Sequence, residues 1–215
     1  MVIPKPLCQC RVCREARKKG TPYARTGPAA FLHDINLLID TPAEIVSQLN
    51  RSSIRRIDYL TFTHLDPDHV EGLRVVEQIA LDFRTWRAYP EKQICLLLPE
   101  QLNLHVSKIQ SQYGSLIDFY QESGFVRIMP FQDYVQIRDV RITAIPVNQG
   151  SQLAFVYVFT KSGRKVLTDY SATDTINTYK RERRRECHFT LPGKEFIIPP
   201  SSLRSALGAL GRFLV

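Results

Sequence analysis

Thr63-His64-Leu65-Asp66-Pro67-Asp68-His69-Val70-Glu71-Gly72 places two histidines and two aspartates within six positions. An apolar run, Ile57-Asp58-Tyr59-Leu60-Thr61-Phe62, leads into it. A helical pattern over residues 72–83 follows, with Leu73, Val76, Ile79 and Ala80 on one stripe. The order of strand, ligand-rich loop and helix sets imidazoles and carboxylates at the mouth of a sheet. Imidazole suits zinc and iron, and carboxylate suits harder ions. Four such groups on one loop can hold two ions side by side, a pairing that polarises phosphoryl or acyl oxygens. A plain Asp- and Pro-rich turn is the simpler reading, but composition alone rarely yields this spacing after a strand.

The stretch resembles the first metal motif of the metallo-β-lactamase superfamily, Thr-His-x-His-x-Asp-His-x-x-Gly. Thr63, His64, Asp68, His69 and Gly72 match, and Asp66 stands where the family has its second histidine. The resemblance implies that His64 and Asp66 face one metal and Asp68 and His69 a second. It also implies that Asp68 is the catalytic group orienting the attacking water. Asp66 adds negative charge and hardness, which shifts preference from zinc towards manganese, iron or magnesium. Asp40, at the end of a hairpin over residues 31–40, is implied to orient the loop from behind, as groups backing a metal ligand do.

The resemblance continues with one substitution. After the strand Val140 to Val147 the family carries another metal-binding histidine, and this chain has Asn148. An amide oxygen is a poor zinc ligand, acceptable to magnesium or calcium, so Asn148 is placed behind the ligands rather than among them. Gly163-Arg164-Lys165-Val166-Leu167 matches the strand that precedes the family's bridging aspartate. Asp169 and Asp174 both follow it, and both stand as candidates. Both ends depart from the family pattern. The chain starts inside the region of an opening strand and Gly-Thr-Gly turn, and no strand followed by a terminal catalytic histidine is recognisable beyond Asp174. A truncated or divergent member is the expectation.

Cys8-Gln9-Cys10-Arg11-Val12-Cys13 is a second ligand cluster. Three sulfurs on so short a segment can occupy three corners of a zinc tetrahedron, and Arg11, Arg14, Arg17, Lys18 and Lys19 nearby favour thiolates. Within the superfamily a similar cluster marks the PhnP-type phosphodiesterases, where it holds a structural zinc. Cys187 and His188 are the candidates for a fourth ligand. The five cysteines, three of them crowded together, argue against a disulfide framework.

The expected fold is α+β, the metallo-β-lactamase αββα sandwich, incomplete relative to the full pattern. It occupies residues 1–174, with a divergent basic segment over 175–215. The expected function is metal-dependent hydrolysis of a phosphodiester by metal-bound hydroxide. The implied cofactors are two divalent ions, zinc, manganese or iron, and one structural zinc. The alternatives are a catalytically impaired metal-binding module, suggested by Asn148, and a nucleic-acid-processing nuclease of the same superfamily. A small phosphorylated substrate is the expected partner, with nucleic acid second and a homodimer admissible.

The 215 residues and 44% hydrophobic content fit one globular domain, alone or with an appendage. No run of about 18 apolar residues occurs and the first residues lack a signal-peptide pattern, so no membrane role and a cytoplasmic location are expected. The formal charge of +8 permits polyanion binding without requiring it. Arg11–Arg25, Arg51–Arg56 and Lys180–Arg185 read as solvated basic faces.

Elsewhere, Thr41, Pro42 and Glu44 read as a capping box opening a helix over 43–49. Residues 86–91 read as a loop. Residues 93–99 read as a buried strand with Cys95 in the core. Residues 100–113 and 115–122 read as helices, with His105 on the surface, and His33 reads as a turn residue. Strands are expected over 125–130, 134–137, 140–146, 153–160 and from 165. A charged helix over 179–186, a linker at Pro199-Pro200 and a short helix over 202–214 complete the reading.

Overall fold

Two runs of apolar residues around a polar turn make the first hairpin: β1 (Ala30–Leu32) and β2 (Leu37–Ile39) pair antiparallel, with Phe31 opposite Leu38. The computed structural model describes residues 2–112, 114–149, 152–168, 187–191 and 194–198, with backbone only for 148, 149, 152 and the last two segments. Ahead of the hairpin lies α1 (Arg11–Lys19), a helix the sequence reading lacks. Its signal is the three-residue spacing of Cys13 and Ala16, the two buried positions on an otherwise charged segment.

After α2 (Ile45–Arg51), β3 (Tyr59–Thr61) runs parallel to β2, Leu60 beside Leu38. Then come α3 (Pro67–Val70), a 3₁₀ turn (Glu71–Arg74) and α4 (Val75–Ala80). A two-rung hairpin of β4 (Leu81–Asp82) and β5 (Arg87–Ala88) leads to β6 (Ile94–Pro99), parallel to β3. Every residue of β6 is buried, as for a strand at the centre of a covered parallel sheet. From it run α5 (Glu100–Val106), a small hairpin of β7 (Gln110–Ser111) and β8 (Gly114–Ser115), α6 (Leu116–Glu122) and β9 (Val126–Phe131). The first sheet has the order β1-β2-β3-β6-β9, with α5 and α6 against β6 and β9.

The second sheet is an antiparallel meander of β10 (Tyr134–Ile137), β11 (Val140–Gln149), β12 (Gln152–Lys161) and β13 (Arg164–Leu167). Ser162 and Gly163 both take positive φ, 48° and 75°, between β12 and β13. That is the two-residue turn whose twist matches antiparallel strands. One core joins the sheets, with Phe31, Leu38, Leu60 and Leu96 from the first and Ile142, Phe155, Tyr157 and Phe159 from the second. Each such side chain contributes about 2 kcal/mol by leaving water. These are the two inner layers of the expected sandwich.

Polar pins also cross the layers. The buried Tyr157 hydroxyl donates to the Phe62 carbonyl (2.8 Å) and lies 2.9 Å from Thr61 Oγ1, which reaches the Leu97 carbonyl at 2.6 Å. The Phe155 N–H donates to the Thr63 carbonyl at 2.7 Å. Strand β12 thereby holds the end of β3, from which the ligand-rich loop departs.

Several local expectations are corrected. The helix after the motif begins at Pro67, not at 72, because a proline at the first helical position starts it. It changes to 3₁₀ at Glu71 and stops at Ala80, where Leu81 turns extended. The segment 100–113 is helical only to Val106 and then forms the β7–β8 hairpin, and the supposed loop after 86 carries β5. Thr41 does not cap α2. Glu44 occupies the cap position without a side-chain bond to the helix, and α2 starts at Ile45. The Glu44 carboxylate instead accepts from the Gly27 N–H (3.2 Å), while Thr41 is turned to the motif.

Beyond 186 an antiparallel hairpin, β14 (Cys187–Leu191) and β15 (Lys194–Ile198), stands where the reading saw no strands. The expected elements over 179–186 and 199–214 lie outside the described residues. Among the described residues no helix is long and apolar enough to cross a membrane.

Candidate metal centre

The ligand-rich loop sits at the carboxyl ends of β2 and β3, where open parallel sheets place their sites. Asp40, the residue after β2, has a φ of 64°, a left-handed conformation uncommon outside glycine. It is fixed there by its own N–H to the Thr61 carbonyl, 2.9 Å, and by the next residue's N–H to the His69 carbonyl, 2.7 Å. The turn points the carboxylate under the loop. Backbone strain of this kind gathers at functional sites.

From that position the buried Asp40 carboxylate organises both histidines. Its Oδ1 accepts from the Thr63 N–H (2.7 Å), and its Oδ2 accepts from Thr63 Oγ1 (2.8 Å) and from His69 Nδ1 (2.9 Å). A carboxylate has no proton to give, so the His69 proton sits on Nδ1. Thr63 spends its proton on Asp40, so its Oγ1 accepts from His64 Nδ1 at 3.0 Å. Both imidazoles are thus held in the tautomer whose Nε2 lone pair is available.

Those Nε2 atoms point at carboxylates. His64 Nε2 lies 3.5 Å from Asp66 Oδ2, and His69 Nε2 lies 3.8 Å from Asp68 Oδ2. Two donors about 2.1 Å from one tetrahedral ion are roughly 3.4 Å apart, close to both separations. Donor atoms of His64, Asp68 and His69 all lie within 4.8 Å of one another, and the two imidazole centroids are 3.9 Å apart. The imidazoles are buried, and Asp68 is exposed, its side chain 72% accessible. The donor set fits a divalent metal centre: borderline nitrogen ligands, hard oxygen ligands and a buried carboxylate behind them.

The two histidines differ in acidity. Burial holds His64 below the ordinary imidazole value, and the neighbouring His69 adds to that. Burial opposes charge on His69 too, but the hydrogen bond and charge of Asp40, with Asp68 and Asp66, outweigh it and hold His69 above the ordinary value. A proton on Nε2 competes with an ion. Metal uptake should therefore weaken as pH falls through the raised His69 value, sooner than for an ordinary imidazole, by about tenfold per pH unit. Chelator-competition titrations from about pH 8 to about pH 5.5 check this, and a flat profile would contradict it.

Other expected positions fall unevenly. Strand β11 carries Asn148, paired with Leu153 in register, but the Asn148 side chain lies outside the described residues. Asp169 and Asp174 also lie outside the described residues, as do the side chains of Cys187 and His188. His105 is a correction. Rather than a surface residue it is half-buried, its Nδ1 is buried with no hydrogen-bond partner, and it lines a cavity shared with Asp66. Sequence reasoning set it aside for want of neighbouring ligand types. The tertiary approach of α5 to the motif, which no local pattern encodes, supplies the context.

The sulfurs of Cys8, Cys10 and Cys13 also lie within 4.8 Å of one another. Cys10 caps α1, its Sγ accepting from the Cys13 N–H at 3.5 Å, and the Lys5 N–H approaches Cys13 Sγ at 3.4 Å. The Cys13 backbone, with the Cys8 and Cys13 thiols, lowers the Cys10 thiol to about 7. The Lys5 N–H favours a Cys13 thiolate, but burial and the flanking cysteines keep that thiol above its usual range. The basic side chains act less directly than expected. Arg17 donates to the carbonyls of Lys5 and Cys8, and Lys19 pairs with Glu15. Backbone donors and neighbouring sulfurs make Cys10 thiolate-prone. Three clustered sulfurs suit a tetrahedral zinc with one further ligand.

Comparison with known proteins accords with this geometry. The family model described as "Beta-lactamase superfamily domain" matches residues 35–190, so the chain belongs to that superfamily. Its members share a hydrolase fold built around divalent metal, and the match extends past Asp174. A crystal structure of a diphosphatase from the PhnP family is 20% identical with a TM-score of 0.57, over 95% of this chain and 65% of that one. Zn²⁺-bound PqqB from Methylobacterium extorquens is 15% identical with a TM-score of 0.59, over 77% of this chain and 60% of that one. This chain thus spans less than two thirds of either structure. No protein of curated function matches it in sequence.

Proposed function

We propose that the protein is a metal-dependent phosphodiesterase acting on a small phosphorylated substrate. The observation that carries this reading is the cluster of His64, Asp68 and His69 donor atoms, braced by Asp40, with Asp66 at 3.5 Å from His64 and lining an adjacent cavity of about 800 Å³. His64 with Asp66, and His69 with Asp68, would hold two divalent ions of zinc, manganese or iron. Such ions supply Lewis acidity to a phosphoryl oxygen and acidify water. The residues do the rest. Asp40 and Thr63 hold each neutral imidazole with its proton on Nδ1 and its Nε2 aimed outward. The exposed Asp68 carboxylate, beside His69, orients the attacking water. The net positive charge draws an anionic substrate to the surface. The Cys8, Cys10 and Cys13 cluster would hold a structural zinc apart from the chemistry.

The test is elemental analysis joined to hydrolysis of bis(4-nitrophenyl) phosphate by the full chain. Turnover removed by a chelator and restored by zinc or manganese is expected. A fully metallated protein without turnover would reject the reading and leave a metal-binding module, the alternative that Asn148 favours. A Cys8/Cys10/Cys13 triple Ala variant should lose about one ion per chain and keep those of the loop. Loss of every ion would show that the two clusters are not independent.

A further inference from the structure

The cavity beside the motif is chemically two-sided. Asp66 and Glu71 contribute carboxylates from the motif, and His105, Lys108, Ile109 and Leu116 contribute basic and apolar groups from α5 and the chain after it. Short turns fix that second group: the Lys108 N–H donates to the His105 carbonyl at 2.9 Å and the Ile109 N–H to the Val106 carbonyl at 3.1 Å. His105, Lys108 and Ile109 are thereby presented together. Within this group, His105 carries a buried Nδ1 without a partner. Leaving such a nitrogen unpaired costs about 1–3 kcal/mol, a penalty that an apolar residue at the end of α5 would avoid. Buried polar groups kept at such a cost call for an explanation outside packing.

We infer that His105 and Lys108 are the substrate-positioning residues of this cavity, selecting a small phosphate ester with an apolar or aromatic substituent. The inference rests on the phosphodiesterase reading for the chemistry but not for the binding. The carboxylate side repels an anion unless ions are bound there. Lys108 supplies positive charge and His105 a hydrogen-bonding imidazole to the ester's anionic oxygens. Ile109 and Leu116 receive the organic group. About 800 Å³ lies in the range of small-ligand sites, and a few polar groups set in an apolar wall are how such sites fix orientation. A polynucleotide would need a basic groove tracking its backbone instead.

Calorimetric titration of the metal-replete full chain with phenyl phosphate and with inorganic phosphate tests this. Phenyl phosphate should bind about tenfold more tightly than inorganic phosphate. His105→Gln and Lys108→Gln should each weaken phenyl phosphate about tenfold with metal content and melting temperature unchanged, and Lys108→Arg should restore most of the loss. With the model diester, KM should rise far more than kcat falls. Equal affinity for the two phosphates, or variants that bind phenyl phosphate like the parent, would overturn the inference. Binding that depends on His105 without any hydrolysis would remove the phosphodiesterase reading and leave this one standing. Hydrolysis with unaltered His105 and Lys108 variants would do the reverse.

Discussion

His69→Ala should lower kcat/KM for a phosphodiester by about 1000-fold or more and empty the part of the loop nearest Asp68. A factor of 1000 is roughly 4 kcal/mol, the scale of charge stabilisation that a held divalent ion supplies. The variant removes more than one donor atom. His69 is buried beside Asp40, whose Oδ2 accepts from its Nδ1 at 2.9 Å. Without the imidazole that carboxylate keeps, among the described residues, the bonds from Thr63, and a lost hydrogen bond to a buried charge is worth about 1.5–3 kcal/mol. Metal loss and a lower melting temperature should therefore appear together.

Asp40→Asn separates the two effects. An amide oxygen can still accept from the His69 ring, but the charge that fixes its tautomer is gone, and metal affinity should fall about 10- to 100-fold. Metal analysis, kinetics and circular dichroism on both variants give the answer. His69→Ala protein with full metal and full turnover would mean that this imidazole is not a ligand.

Gly72→Ala is expected to destabilise the whole domain although it adds a single methyl. A Cβ on Gly72 would sit 2.2 Å from the Pro42 carbonyl oxygen and 2.6 Å from Ile45 Cγ2. The oxygen cannot step aside: it accepts the Ile45 N–H at 2.9 Å where α2 begins, and the Gly72 N–H is bound to the Thr41 carbonyl at 2.8 Å. Relief requires moving the 3₁₀ turn away from the start of α2. Overpacking of this sort costs about 1–3 kcal/mol and more against fixed backbone, or roughly 2–12 °C in melting temperature for a domain of this size. Because Thr41 also binds the His69 carbonyl, metal affinity should fall in parallel. A melting temperature within about 1 °C of the parent would show that the backbone yields freely.

The strands of both sheets and the ligand-rich loop were legible because their signals are local: apolar runs, turn residues and ligand spacing. Asp40 was legible only through resemblance, since its left-handed backbone and the hydrogen bonds that hold it span 29 residues of sequence. The misread elements share a cause. Thr41-Pro42-Ala43-Glu44 has the composition of a helix cap, but Thr41 is engaged by the motif and Glu44 by Gly27. Gly72 looked like a helix start because it closes the motif ahead of an apolar stripe. It is instead the glycine that lets a 3₁₀ turn press on Pro42. His105 had no local partner to announce it. In each case a long-range contact decided the role, and single-residue propensity does not contain that information.

The pins between the sheets also set how slowly the motif can open. The Thr63 N–H is held by Asp40 and the Thr63 carbonyl by the Phe155 N–H, while Tyr157 spans to Phe62. Freeing the Phe155 amide means parting β12 from the end of β3, and freeing the Thr63 amide means pulling the loop off the buried Asp40 carboxylate. In deuterium exchange, the Thr63 and Phe155 amides should rank with those of β6 among the most protected, and the amides of β4 and β5 should exchange far earlier. The loop that carries the ligands would then behave, on the timescale of exchange, as part of the core.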